Sequence, residues 1–400
     1  MKKLLLLGGS RYLLPVIEEA KKLGCRTITC DYLPDNTAHR YSDEYHNVSI
    51  VEKDKVLELA QQLHIDGIMS FACDPGVTTA AYVAEKLGLP NVGPYESVEI
   101  LQNKNRFRKF LSDNGFNVPK FKDYTDIKPA VRDAENFGYP VIVKPVDSAG
   151  SKGVNRVDSF GDFESAAEYA MENSLSGRII VEDFIQQKGF ASDTDCFCAD
   201  GELRFCSFNS QYFDKNADNP YAPAGFTWPS SMSQEHQKEL RSELQRLIKL
   251  LHMQSAVYNV ECREGTDGKA YIMEVSPRGG GNRLCEMLEY VSGTNLIRNA
   301  VKAALGMPVE ELHDPEYSGY WSEIILHSYK TGTFRELRID KELEPCIVEK
   351  DLWVHPGDYV EAFTGANKTI GTLVVKFPDA AERERRMSDI RSWIDIVVED

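Results

Sequence analysis

The stretch NVECREGTDGKAYIMEVSPRGGG, residues Asn259–Gly281, contains the clearest structural pattern in the chain. Two alternating apolar runs flank Asp267-Gly268, a dipeptide typical of a two-residue type I′ turn in a β-hairpin. Counting outward from that turn places Glu261 directly opposite Glu274 on the paired strand. Two facing carboxylates repel each other unless a partner neutralises them, and a divalent cation held by oxygen ligands does so. The stretch therefore predicts a hairpin that binds a metal ion.

The residues that follow the two glutamates supply a cationic side chain and a run of glycines. The same count opposes Cys262 to Met273 on an apolar face and places Ser276 on the face of the glutamates. Arg278 follows, and its planar guanidinium suits a carboxylate or phosphoryl oxygen. The glycines at 279–281 would let a ligand approach the backbone closely. The competing interpretation is a pair of glutamates on a solvent-facing hairpin, which leaves the arginine and the glycines unexplained.

The bulk properties limit the classes of protein. A chain of 400 residues is too long for one compact core and predicts two or three domains. Its 46 basic and 62 acidic residues give a net charge of −16, which disfavours general binding to nucleic acid or anionic membranes. Nine scattered cysteines without a CxxC pair indicate a reducing cytoplasm rather than a disulfide framework. The N-terminal leucine run stops at Gly8-Gly9 and is interpreted as a first strand, because it is too short to span a membrane.

The N-terminal segment alternates strand and helix patterns. Apolar runs at residues 3–7 and 25–31 enclose a helical pattern, and two further alternations follow. This order predicts a parallel α/β sheet. The turn Leu7-Gly8-Gly9-Ser10 departs from GxGxxG. A tight strand-to-helix turn is therefore favoured over a dinucleotide site with Asp31 on the ribose.

Two lysines mark the middle segment. Residues 97–115 read as one helix whose charged face, which includes Lys104 and Arg108, is solvated. Lys144 lies near the end of an apolar strand, where a cation is costly unless it meets an anion. A small-residue loop at 148–153 follows and could bring backbone N–H groups against phosphate oxygens. Taken alone, this segment is explained equally well by an ordinary hairpin with a snorkelling lysine.

In their order along the chain, these motifs resemble those of the ATP-grasp superfamily. The resemblance rests on the α/β segment, Lys104, Lys144 with its glycine loop, the run IIVEDFI, the paired glutamates and SPRGGG. The nearest branch is that of carboxylate–amine (L-amino acid) ligases and the carbamoyl phosphate synthetase large subunit. The resemblance implies a parallel α/β pre-ATP-grasp domain at residues 1–93. An ATP-grasp α+β domain at 94–310, with a mobile lid at about 121–185, and a C-terminal β-rich α+β subdomain at 311–400 would follow.

The resemblance implies a nucleotide site assembled from several segments. Lys104 and Lys144 would contact the phosphates of ATP, Lys144 also near the adenine. The flexible loop over the phosphates would include Ser148, Gly150, Ser151 and Gly153. Glu182 would lie near the adenine amino group, and the backbone of Asp183, Phe184 and Ile185 would read the edge of the ring. The ribose contact would fall to Asp193 or Asp195, because the family's usual glutamate position holds Ala191 here.

The resemblance also implies a metal and catalytic set. Glu261 and Glu274 would bind Mg²⁺, with Mn²⁺ as the alternative, and Glu274 would bridge two ions. Ser276 stands where many members have Asn and would supply an oxygen to the second ion. Arg278 would steady an acyl phosphate and later intermediates.

These roles imply an ATP-dependent ligase that forms C–N bonds. A carboxylate is activated as an acyl phosphate, an amine attacks it, and ADP and phosphate are released. The expected partners are small-molecule carboxylate and amine substrates in the cytoplasm, with no nucleic acid or membrane, and a homodimer is a candidate assembly. The alternatives are a biotin-carboxylase or carbamoyl-phosphate type of enzyme, a catalytically silent ATP-binding regulatory module, and a dehydrogenase. Residues 209–230 are expected to form a specificity loop or a packed surface loop, and residues 379–394 a charged final helix.

Overall fold

The structure, a computed structural model, describes residues 1–147 and 152–399. The strands of this part, in chain order, are β1 (Lys3–Leu7), β2 (Arg26–Cys30), β3 (Glu44–His46), β4 (Gly67–Ser70), β5 (Phe121–Tyr124), β6 (Val141–Pro145), β7 (Asn155–Val157), β8 (Ile179–Asp183), β9 (Ser192–Ala199), β10 (Glu202–Cys206), β11 (Ser210–Phe213), β12 (Pro223–Trp228), β13 (Ala256–Glu264), β14 (Ala270–Ser276), β15 (Tyr320–Leu326), β16 (Gly332–Ile339), β17 (Ile347–Leu352), β18 (Tyr359–Val360), β19 (Gly371–Phe377) and β20 (Ile394–Glu399).

The α-helices of the same part are α1 (Leu14–Lys22), α2 (Lys53–Leu63), α3 (Val77–Leu87), α4 (Tyr95–Gln102), α5 (Lys104–Asp113), α6 (Ile127–Ala134), α7 (Phe163–Glu172), α8 (Gln234–Leu250), α9 (Leu284–Ser292), α10 (Leu296–Ala304) and α11 (Ala380–Ser388). Within the described ranges, no helix combines the length and the apolar character needed to cross a membrane.

The N-terminal sheet is parallel, in the order β3-β2-β1-β4, as the alternation of strands and helices predicts. Leu4 to Leu7 of β1 are fully buried because this strand lies between two neighbours and under helices on both faces. The turn after β1 is tight: Gly8 has a φ of +113°, and a Cβ on Gly9 would lie 2.5 Å from the His39 ring. Asp31 is buried, and its carboxylate accepts hydrogen bonds within its own loop, from Tyr32 and Asn36.

Two antiparallel four-stranded sheets follow, in the orders β5-β8-β6-β7 and β10-β9-β13-β14. Strands β6 and β7 pair on either side of the glycine-rich loop, with Val141 opposite Val157. The second sheet packs one face on an apolar core with α8, and its other face carries apolar residues such as Phe197 and Val257 at one end and Asp193 and Glu261 at the other.

The single helix predicted over residues 97–115 is wrong, because two helices meet there. Helix α4 ends at Gln102, and α5 begins at Lys104. Between them Asn103 has an extended backbone (φ −112°, ψ 111°), and its side chain accepts a hydrogen bond from the Arg106 N–H at 3.1 Å. This N-cap starts α5 afresh and places Lys104 at its first position.

The decisive hairpin is β13–β14, and its turn differs from the predicted one. The Gly265 N–H donates to the Lys269 carbonyl at 2.8 Å, so the loop holds the three residues 266–268 instead of two. Gly268 takes the left-handed φ of +79° that closes such a loop.

A β-bulge in β14 restores the predicted register further along the hairpin. Cys262 pairs with Ile272, so Met273 has no direct partner and the predicted Cys262–Met273 pair is wrong. Beyond the bulge, Glu261 faces Glu274, as the count predicts. One extra residue in the loop and one extra residue in β14 cancel each other.

The C-terminal part contains more strand than predicted. The predicted loop at 209–230 is instead β11 and β12, joined by residues 214–222, in a five-stranded sheet of order β11-β12-β15-β19-β17. The final helix, α11, ends at Ser388, earlier than expected, and β20 follows and pairs with β16. Arg383, Arg386 and Met387 form the buried face of α11.

Candidate active site

A row of three carboxylates crosses the second antiparallel sheet. Asp193 on β9 pairs with Glu261 on β13, which in turn pairs with Glu274 on β14. The side chains of Glu261 and Glu274 are 29% and 43% exposed, so both can reach a ligand above the sheet. Two cations lie beside this row: the Arg263 Nη2 lies 2.7 Å from Glu261, and the Lys104 Nζ lies 3.7 Å from Glu274.

The electrostatics of the row show crowded negative charge. Burial, and next the charge of Glu261, raise the pKa of Asp193 to about 7. Burial alone would raise the pKa of Glu261 as well, but Arg263, Lys144 and Arg108 outweigh it and hold that pKa below its usual value. Glu261, whose ionised form is favoured by nearby cations, and the facing Glu274 together provide oxygen donors suited to a hard divalent cation.

The two glutamates do not complete a metal site by themselves. In the ranges that the structure describes, no three or more His, Cys, Asp or Glu side chains cluster closely enough to hold a metal ion. The residues therefore fit Mg²⁺ only if phosphate oxygens and water supply the other ligands, which is the usual coordination of this ion at phosphate sites.

The next row of the same sheet is buried and internally hydrogen-bonded. Asp195 is fully buried and accepts hydrogen bonds from the Gly280 N–H at 2.9 Å and the Cys285 thiol at 2.9 Å. Burial raises the pKa of Asp195 to about 6. Asn259 bridges the two rows, since its side-chain amide donates to both Asp193 and Asp195. Asp195 thus anchors the glycine loop from below, which leaves Asp193 as the more accessible of the two candidates for the ribose.

Ser276 is 1% exposed, and its hydroxyl is engaged on both sides. It donates to Asp74 Oδ1 at 2.9 Å and accepts from the Gln102 side-chain amide at 2.9 Å. Its role as a metal ligand stays a prediction, and one lone pair of the hydroxyl remains for it.

Arg278 forms an ion pair that sequence reasoning missed. Its Nε and Nη2 donate to the two carboxylate oxygens of Asp74 at 2.9 Å and 2.8 Å. Asp74 follows the carboxyl end of β4 in the N-terminal sheet, where ligand-binding residues of parallel sheets collect, and that position is the signal that could have found it. Burial would raise the pKa of Asp74, but Arg278 and the Ser276 hydrogen bond hold it below its usual value.

Of the three glycines after Arg278, two are needed for packing. A Cβ on Gly279 would lie 2.2 Å from the Phe71 ring, and one on Gly280 would lie 2.6 Å from Leu284. A Cβ on Gly281 would meet no atom within 4 Å, so only this glycine offers open space to a ligand.

A buried ion triad connects the first antiparallel sheet with the hairpin. Glu182 on β8 is 3% exposed and accepts from the Lys144 Nζ at 2.6 Å and from the Arg108 Nε at 2.7 Å. Arg108 also donates to the carbonyl of the bulged Met273 at 2.7 Å. The expectation of a solvated face is therefore wrong for Arg108, which is 1% exposed. The cations overcome the effect of burial and lower the pKa of Glu182 to about 2.

The segment after β8 is partly occupied by its own hydrogen bonds. The N–H groups of Asp183 and Phe184 donate to the carbonyls of Lys120 and Pro140 at 2.9 Å and 3.2 Å. The guanidinium carbon of Arg156 lies 4.4 Å from the centre of the Phe184 ring. Asp183, Phe184 and Ile185 are each half-buried, and the contact of their backbone with an adenine ring stays a prediction.

The loop predicted to cover the phosphates is only partly described. Ser148, Gly150 and Ser151 lie outside the described residues. Gly153 has a φ of +75°, and a Cβ there would lie 2.7 Å from Pro145. Both observations explain why this position is a glycine.

Comparison with known proteins bears on this arrangement. A family model described as an ATP-grasp domain matches residues 137–286, which include Lys144, Glu182 and the paired glutamates. The carbamoyl phosphate synthase large chain of Thermotoga petrophila is 25% identical over 293 residues, which are 72% of this chain and 26% of that protein. The chain thus spans about a quarter of the length of these large chains. The formate-dependent phosphoribosylglycinamide formyltransferase of Methanocaldococcus jannaschii is 26% identical over 97% of this chain and 95% of its own.

Solved structures share the fold along the whole chain. An L-amino acid ligase from Bacillus licheniformis has a TM-score of 0.81 at 20% identity, covering 100% of this chain and 99% of its own. A phosphoribosylglycinamide synthetase from Anaerococcus prevotii has a TM-score of 0.77 at 21% identity, with 100% of both chains covered. The predicted fold class, a parallel α/β sheet followed by antiparallel sheets of the ATP-grasp type, is confirmed.

Proposed function

We propose that this chain, which contains an ATP-grasp domain, is an ATP-dependent ligase that joins a small-molecule carboxylate to an amine. The carboxylate is activated as an acyl phosphate, the amine attacks the activated carbonyl, and ADP and phosphate leave. The relatives matched over most of the chain act on small molecules by their names, which supports this substrate class.

The observation that carries the proposal is the facing pair Glu261 and Glu274, with Lys104 beside it. Bound Mg²⁺, or Mn²⁺ in its place, would neutralise charge on the phosphates of ATP. The two glutamates would hold that ion, and Lys104 and Lys144 would attract the phosphate oxygens. The buried Glu182 holds the Lys144 ammonium and the Arg108 guanidinium in place, so that both groups are already oriented before the nucleotide binds.

Arg278 supplies the second part of the proposal. Asp74 holds its guanidinium by two hydrogen bonds, which fixes the plane of the fork. A guanidinium fixed in this way would orient the carboxylate substrate toward the phosphoryl group and then hold the acyl phosphate oxygen. Because Asp74 lies in the turn that follows β4 of the N-terminal sheet, the proposed site needs both that turn and the hairpin.

The remaining residue assignments rest on the resemblance of the sequence motifs to those of ATP-grasp proteins. Asp193 is our candidate for the ribose hydroxyls, and Ser276 for an oxygen ligand of a second ion. The domain limits at 1–93, 94–310 and 311–400, a homodimeric assembly and a cytoplasmic location belong to the proposal as well.

The test measures nucleotide binding and then turnover. Calorimetry should show binding of Mg·ATP and not of NAD, and pooled carboxylates and amines should stimulate the release of ADP. Glu274→Gln should remove that stimulation, whereas Glu58→Gln, an exposed change on α2, should keep it. Tight NAD binding without ATP binding, or equal turnover by the Glu274 variant, would contradict the proposal.

A further inference from the structure

A buried carboxylate on the five-stranded sheet has no hydrogen-bond partner. Glu323 on β15 is 0% exposed, and neither of its carboxylate oxygens meets a donor among the described residues. An ionised carboxylate in such a place costs several kcal/mol or more unless a cation or hydrogen bonds compensate it. On the same face the buried Trp228 indole N–H also has no hydrogen-bond partner within the described ranges, but it is neutral, so the carboxylate of Glu323 requires a separate explanation.

The charges around Glu323 do not balance. Glu286 on α9 and Glu349 on β17 lie near it, and Arg283 is the guanidinium they share. The Arg283 Nε lies 3.0 Å from Glu286, and its Nη1 donates to Glu349 and, at 2.8 Å, to the Thr372 hydroxyl. Glu286, Glu349 and Glu323 therefore surround the guanidinium of Arg283. That guanidinium donates hydrogen bonds to Glu286 and Glu349, and Glu323 receives none. The cluster has an excess of negative charge that a cationic ligand would neutralise.

Strand pairing connects Glu323 with the acidic row of the candidate active site. Glu323 pairs with Phe226 on β12, and Phe226 pairs with Gln211 on β11, so the three side chains share one face. The Gln211 side-chain amide lies 3.3 Å from Asp193. Neighbouring strands are about 4.8 Å apart, so Glu323 lies about 10 Å from Gln211, a length that a small substrate can span.

The N-terminal segment and the glycine loop complete the surroundings. The Tyr12 hydroxyl lies 3.4 Å from Asn282, and the Tyr12 ring meets Trp353 edge-on at 6.2 Å. Burial and then the charge of Glu323 raise the pKa of Tyr12, which indicates that the ring lies near the carboxylate. Asn282 and Arg283 both have positive φ, 51° and 59°, a strained conformation that the surrounding contacts must hold. Aromatic rings beside carboxylates are a typical environment for ammonium ions.

We propose that Glu323 binds a positively charged amino group of the substrate, at a distance from the reacting carboxylate or amine. The inference rests on the proposed ligase function and names its substrate class: basic amino acids or diamines. Glu323 is separated from the acidic row at which the reacting group would lie. The α-ammonium group of an amino acid lies next to its own carboxylate and could not span that separation, so a terminal ammonium group is favoured. Without a bound cation, burial holds the pKa of Glu323 well above its usual value against the influence of Arg283, and Glu286 and Glu349 raise it further.

The test compares probes that differ only in a terminal ammonium group. L-Lysine is matched with L-norleucine, and 1,4-diaminobutane with 1-aminobutane, each offered with Mg·ATP and the complementary pool of carboxylates or amines. Wild type and the exposed control Glu58→Gln should use the ammonium-bearing member with at least about tenfold higher kcat/KM. Glu323→Gln has nearly the same shape and should lose that preference while still binding Mg·ATP.

Calorimetry gives a readout that does not need turnover. Wild type saturated with Mg·ATP should bind L-lysine or 1,4-diaminobutane more tightly than its neutral match, and Glu323→Gln should not. Equal use and equal binding of the matched probes, a preference that survives in Glu323→Gln, or no binding of any probe would overturn the inference. Failure of wild type to bind Mg·ATP would instead overturn the proposed function.

Discussion

Replacing Glu182 with Gln should destabilise the protein by about 3 kcal/mol at pH 7. The side chain is 3% exposed and holds Arg108 at 2.7 Å and Lys144 at 2.6 Å. These cations overcome the effect of burial and lower the pKa of Glu182 from an ordinary 4.5 to about 2. A difference of that size corresponds to roughly 3 kcal/mol of stability. Breaking a buried ion pair by removing one partner costs roughly 3–5 kcal/mol, so two separate arguments agree.

The assay is urea unfolding followed by circular dichroism. Glu168→Gln on α7 is the matched control, because Glu168 is exposed, and it should change stability by less than about 0.5 kcal/mol. The pKa of Glu182 is lower in the folded protein, so its stabilising effect is present above its unfolded pKa and disappears as the pH falls toward 2. The difference between wild type and Glu182→Gln should therefore shrink between pH 6 and pH 3. A loss below about 1 kcal/mol at pH 7, or one that stays constant on acidification, would refute the reasoning.

Three further predictions test other parts of the structure. Glu274→Gln should preserve the circular dichroism spectrum and nearly abolish ADP release, since a neutral amide cannot supply the negative charge of the bridging carboxylate; normal turnover would exclude the hairpin as the metal site. Gly279→Ala should cost about 1–3 kcal/mol in urea unfolding because its Cβ would lie 2.2 Å from a neighbouring ring, whereas Gly281→Ala should be nearly neutral; equal effects would contradict this packing. Asp74→Asn should lower kcat while leaving the calorimetric affinity for Mg·ATP unchanged, because Arg278 loses its orientation; an unchanged kcat would remove Asp74 from the site.

Strand alternation correctly predicted that Glu261 faces Glu274, but partly by chance. The count assumed a two-residue turn, yet the loop has three residues and Met273 is bulged. The two differences shift the register in opposite directions, so Glu261 still faces Glu274. Alternation of apolar residues has a period of two and cannot locate a single inserted residue when another insertion compensates for it.

The parts that sequence reasoning missed depend on contacts between distant residues. Arg108 meets Glu182 across 74 positions, and Arg278 meets Asp74 across 204. The local sequence around a charged helix residue does not show whether that residue pairs with a buried carboxylate elsewhere in the chain. Arg108 was therefore expected to be solvated. Glu323 did carry a sign in the sequence, because it is a carboxylate within an apolar strand, where a charge is costly without a partner.

Transfer of an oxygen atom from the carboxylate substrate to inorganic phosphate would demonstrate the acyl phosphate. The pooled carboxylic acids are labelled with ¹⁸O, supplied with amines and Mg·ATP, and the phosphorus products are examined by ³¹P NMR. An acyl phosphate transfers one carboxylate oxygen to inorganic phosphate when the amine displaces it, so ¹⁸O should appear in phosphate alongside ADP. The Glu274→Gln variant should give no labelled phosphate. Label in AMP with release of pyrophosphate, or amide formation with unlabelled phosphate, would contradict the account.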